Sequence, residues 1–179
     1  MKQKKKVFIQ HLYHEIEDEE KAEEYLDNSL PLVGQIVMYF NGLEKSLDRI
    51  ICEIFTDRTD STGLIVLHKM NYSTKVDLFK RFSDDFHWGC DIKIDCYENL
   101  ITNLKETGRL RNLVVHADWE NTDDDGYTYI NLRISTNGME QEYLQFSELS
   151  LKEIIKLIFK TRQQLGEYWE KRNEELYKN

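Results

Sequence analysis

Apolar residues along this chain follow two periods, one after the other. In "NSLPLVGQIVMYFNGLEKSLDRIICEIF", Val33, Ile36, Phe40, Leu43, Leu47, Ile50 and Ile54 advance by three and four residues in turn. That rhythm marks one buried face of a helix. Asn28 or Ser29 is the expected cap, and Pro31 suits a first turn. "STGLIVLHKM" predicts a short helix. "STKVDLFKRFSDDF" opens on a serine cap and sets Val76, Phe79, Phe82 and Phe86 on one stripe. "DIKIDCYENLITNLKETGRLRNLVVH" predicts a long helix on Ile94, Tyr97, Ile101 and Leu104. After an acidic loop the period falls to two. Ile130, Leu132 and Ile134 alternate in "YTYINLRIS", Leu144 and Phe146 in "EYLQF", and "TNGM" joins them as a hairpin over about residues 127–146. A three-residue loop pairs Leu132 with Leu144 and Ile130 with Phe146, placing both apolar rows on one face. In the last segment Ser150 and Glu153 form a capping box. Leu151, Ile154, Ile155, Ile158, Leu165 and Trp169 mark its buried side.

These elements predict a mainly α fold, an antiparallel helical bundle with one β-hairpin inserted before the C-terminal helix. Residues 1–28 read as a charged arm or a short helix at "DEEKAEEYL", and residues 29–179 as one domain. Composition agrees with a folded, heavily charged domain, since 40% of residues are hydrophobic and 32% charged. The formal net charge of -9 argues against extended duplex DNA binding. It leaves room for a small basic site for a single strand. No apolar run approaches the roughly 18 residues of a membrane span, and the N-terminal lysines precede no secretory core. Cys52, Cys90 and Cys96 are odd in number and lack a CxxC pair, which fits reduced thiols in a cytoplasmic setting.

One place breaks the pattern. Continuing the seam 94, 97, 101, 104 reaches Gly108 and Arg111 where apolar residues are due. Glycine permits close approach. Arginine in an apolar stripe is costly unless it meets an anion or a carboxylate, and such breaks concentrate at functional sites. His116 follows five residues later, so on an ideal helix it points ~140° away from Arg111. Either the helix ends near His116, or a two-fold partner contributes the same helix to a composite site.

"RNLVVH", residues 111–116, matches the R-x4-6-H motif of HEPN domains. "FNGLEKSLDRII" resembles the first long helix of that family and "STKVDLFKRF" the helix before the motif helix, a likeness covering roughly residues 30 to 165. The resemblance implies a HEPN-like bundle and a homodimer with its two motifs across the two-fold axis. Many members are metal-independent endoribonucleases of toxin, antiphage or RNA-processing systems, so it also implies single-stranded RNA as substrate and a neutralising or effector protein as partner. It assigns His116 to proton transfer, Arg111 to the phosphate and Asn112 to support, with no cofactor and no metal. Other members are noncatalytic modules that bind a protein or a nucleotide, and the acidic charge suits that alternative.

Secondary candidates surround the motif. Arg109 shares a helical face with His116 at a spacing of seven, but Arg111 disrupts the seam and Asn112 follows it. Glu44 and Asp118 are candidates to orient a motif side chain. His11 and His14, with Glu15, have ligand spacing without further ligands. His87, Cys90 and Cys96 are looser still, and "DDFHWGC" reads as a turn with Trp88 partly buried. "KQKKK" reads as a frayed terminus or, alternatively, as an RNA-contacting arm, and "DDDG" as a solvated turn. Nothing supports Ser/His/Asp catalysis, a phosphate-cradling loop or a dinucleotide fingerprint.

Overall fold

The computed structural model describes residues 1–8, 16–56 and 61–177. Its elements are β1 (Gln3–Val7), α1 (Glu19–Thr56), α2 (Ser61–Leu67), α3 (Tyr72–Cys90), α4 (Tyr97–Val115), β2 (Asp118–Thr122), β3 (Tyr127–Ser135), β4 (Gly138–Gln145) and α5 (Glu148–Leu176). The protein is mainly helical, with a small antiparallel sheet in the order β1-β4-β3-β2. Contacts divide the chain into two compact units: Met1–Val37 with Leu110–Ile155, and Met38–Arg109 with Lys156–Asn179.

The sheet belongs to the first unit and is larger than the expected hairpin. β1 pairs with β4, Gln3 opposite Leu144 and Val7 opposite Glu140. The "KQKKK" segment is therefore a strand and not a frayed arm. Its partner strand is acidic: Lys5 lies 3.6 Å from Glu140 and 3.4 Å from Glu142. β2 forms where the sequence suggested only the end of a helix. The hairpin turns through two residues, Ser135 opposite Gly138, and not through three. Leu132 faces Gln141, and an irregularity between Tyr129 and Asn131 shifts the register, so Thr128 faces Leu144. The bulge corrects parity within the strand, and the turn does not. Ile134, expected inside, is 69% exposed, while Tyr143 and Phe146 are buried.

α1 also departs from expectation, because it begins about ten residues before Asn28 and Ser29. Asp18 caps it: Oδ1 accepts the Lys21 amide at 3.1 Å and its carbonyl the Ala22 amide at 3.0 Å. The buried face continues backward through Leu32, Ser29 and Ala22. Pro31 lies inside the helix on its exposed side. The one ladder bond it removes is to the Asp27 carbonyl, which water can satisfy there.

The second unit is helical. Phe40 of α1 packs on Tyr72 of α3 at 4.6 Å, Phe79 of α3 on Tyr168 of α5 at 5.5 Å, and Tyr97 of α4 on Tyr168 at 5.5 Å. Tyr168, fully buried, continues the α5 face expected of Trp169, which is half-buried. The caps moved by a few residues. Asn71, not Ser73, caps α3, accepting the Thr74 amide at 2.9 Å. Ser147 caps α5, accepting the Ser150 amide at 3.2 Å, so Ser150 and Glu153 lie within the helix and form no capping box.

Gly126 is the tightest point of the sheet unit. Its φ is +81°, and a Cβ there would stand 2.2 Å from Tyr25 Cζ. Gly126→Ala is expected to destabilise the fold by about 2 kcal/mol or more, because backbone strain and clash add. A thermal melt against the wild type measures it, and an unchanged midpoint would contradict this packing.

Candidate functional site

Gly108 and Arg111 break the seam of α4 for different reasons. A Cβ on Gly108 would lie 2.8 Å from the Tyr72 ring, whose hydroxyl donates to the Leu104 carbonyl at 3.0 Å. The close approach is thus a tyrosine ring and not another backbone. Burial holds the Tyr72 hydroxyl well above its ordinary pKa. Arg111 is half-buried.

α4 ends at Val115, just before His116. The His116 amide donates to the Asn112 carbonyl at 3.0 Å, a last helical bond. Trp119 then closes the end, its indole N–H donating to the Val114 carbonyl at 2.8 Å. The indole also packs on Phe146 at 5.1 Å. Only His116 and Ala117 separate α4 from β2. His116 is thus the first residue beyond the helix, with its amide still bonded in the helical pattern.

Asn112 links the motif. Its Oδ1 accepts a hydrogen bond from Arg111 Nη1 at 3.1 Å, and its carbonyl holds the His116 amide. Asn112 and His116 are exposed, so the surface is open to a large ligand.

The secondary candidates have other partners. Asp118 accepts from Asn121 Nδ2 at 2.5 Å. Arg109, in the helical unit, forks Glu106 with Nε at 2.8 Å and Nη2 at 2.7 Å. That hydrogen-bonded contact holds the Glu106 carboxyl below the usual range. Glu44, in the same unit, accepts from Lys75 Nζ at 2.9 Å, and Asp48 does likewise. Lys75 is 7% exposed. Burial pulls its pKa down, but the two carboxylates outweigh this and leave the ammonium raised. Glu44 thus serves an ion triad centred on the buried Lys75.

The other cluster from the sequence is aromatic. His87 meets the Tyr97 ring at 4.5 Å and the Tyr168 hydroxyl at 3.4 Å. Tyr97 donates to Asp84 at 2.6 Å. Trp88, expected to be partly buried in a turn, lies in α3 and is 85% exposed. Cys90 is exposed and Cys96 half-exposed. Among the described residues no group of three or more His, Cys, Asp or Glu could hold a metal. His11, His14 and Glu15 lie outside the described residues. No described helix is long and apolar enough to cross a membrane. Neither Trp119 nor this cluster was assigned a role from sequence. A tryptophan three residues past the motif histidine was the available signal for the first.

The chain matches no known family model, no curated protein and no solved structure.

Burial lowers the pKa of His87, against smaller upward pulls from Asp84 and Glu98 and a downward one from Arg172. The folded protein then binds this proton less readily than the unfolded chain, so stability falls as pH drops from about 6.5 toward the lower folded value. Denaturant midpoints measured from pH 7.5 to 5 are expected to decline, and His87→Gln to flatten the decline. Parallel curves for both proteins would remove His87 as the cause.

Proposed function

We propose that this chain is a HEPN-type, metal-independent endoribonuclease that acts as a homodimer on single-stranded RNA, in a toxin or antiphage defence setting with a neutralising partner. One observation carries the reading: the Arg111 guanidinium is tied to Asn112, on an open surface at the helix end that presents His116. The chemistry suits these groups. The RNA 2′-hydroxyl loses its proton to the His116 imidazole, acting as general base. Its oxygen bonds to the adjacent phosphorus and the bond to the 5′-oxygen breaks. A 2′,3′-cyclic phosphate forms, and the leaving oxygen takes a proton from the imidazolium of the second copy. Arg111 stabilises the charge gathering on the phosphorane oxygens. Asn112 is a positioning residue for that guanidinium. The formal charge of -9 favours a second reading, a noncatalytic HEPN-like module binding a protein or a nucleotide.

Cleavage of a fluorescent single-stranded RNA tests the proposal. His116→Ala is expected to lower the rate ~10²–10⁴-fold and Arg111→Ala roughly 10²-fold or more. Asn112→Ala should cost less, and EDTA should leave the wild type active. Unchanged rates in both His116→Ala and Arg111→Ala sink the catalytic assignment, and an intact substrate with wild type supports the second reading. Light scattering should give twice the 21.5 kDa chain mass, and a clean monomer would remove the composite site.

A further inference from the structure

At the C-terminal end of α3 lies a cleft of about 370 Å³, lined from α3, the following loop and the start of α4. Trp88 lines it while 85% exposed, an unusual position for an indole. Asp95 and Glu98 line it too. Both are exposed, and neither has an ion-pair partner among the described residues. Asp84 is already engaged, by Lys80 at 2.5 Å and the Tyr97 hydroxyl at 2.6 Å. Lys93 contributes a cation to the lining. The end of α3 adds its negative dipole end, and the start of α4, with Glu98 in its first turn, its positive one.

An exposed indole in a lining where Asp84, Asp95 and Glu98 outnumber Lys93 favours a cation over a phosphate. A guanidinium answers both demands, because it stacks flat on an aromatic face and forks a carboxylate. The cleft is larger than one arginine side chain, and half-buried Ile92 offers apolar contact to flanking chain. We propose that this cleft docks an arginine of an extended basic segment from a partner protein, with the guanidinium stacked on Trp88 and paired with Asp95 and Glu98. The proposal is independent of the ribonuclease reading.

The test uses the full chain and an acetylated Gly-Ser peptide carrying two arginines, followed through the Trp88 indole N–H resonance. The peptide should shift that resonance saturably, and its citrulline version should not. Trp88→Ala and the pair Asp95→Asn/Glu98→Gln should each weaken binding roughly 5-fold or more, with the fold retained by circular dichroism. Replacing a side chain this exposed removes little packing, so the variant remains a fair test. Equal affinity in wild type and Trp88→Ala overturns the proposal. So does spermine displacing the peptide at equal or lower concentration, which would mark a polyamine site. A larger Trp88 shift with oligouridylate than with the peptide overturns it as well, assigning the cleft to RNA.

Discussion

The hydrogen bond from the Trp119 indole to the Val114 carbonyl is the contact on which the motif region depends. The last carbonyls of a helix lack partners within it and must find them elsewhere. Here a side chain from the following strand supplies one, and stacking on Phe146 holds that side chain in place. The bond therefore stops α4 and starts β2 in a single step. His116 falls in the two-residue link between them, beyond the helix but tied to Asn112 through its amide.

Much of the helical architecture was legible because burial imposes a period. Ile36, Phe40, Leu43, Leu47 and Ile50 are all buried, as their spacing required. What the period could not reveal was where α1 begins. Ser29 and Ala22 are small or polar, yet they extend its buried face. The sheet was half legible. The hairpin's alternation was visible, but β1 is a run of lysines whose pairing depends on acidic residues more than a hundred positions later. Register was misread because a bulge leaves no mark in an alternation count.

The candidate site divides the same way. A charge out of place in an apolar seam pointed to Arg111 and Gly108. Tyr72 explains Gly108 by close approach. The Arg111–Asn112 hydrogen bond depends on side-chain geometry that spacing does not encode. Glu44 and Arg109 drew notice by position alone, and each is bound to a partner of opposite charge. The two proposed sites differ in local charge, Arg111 supplying a cation and the cleft beside Trp88 an excess of carboxylates.

The N-terminal strand has a bearing on how this protein survives crowding by its own copies. β1 is the outer strand on one side of the sheet, and Lys4, Lys5 and Lys6 line it. Charged residues on an outer strand discourage a second molecule from adding its own. β4, directly behind, offers "MEQEYL", whose backbone β1 occupies. Proteolytic loss of the first seven residues would uncover that backbone and turn a guarded border into a template for filament growth. The lysine run, which has the look of an expendable tail, thus holds the border of the sheet.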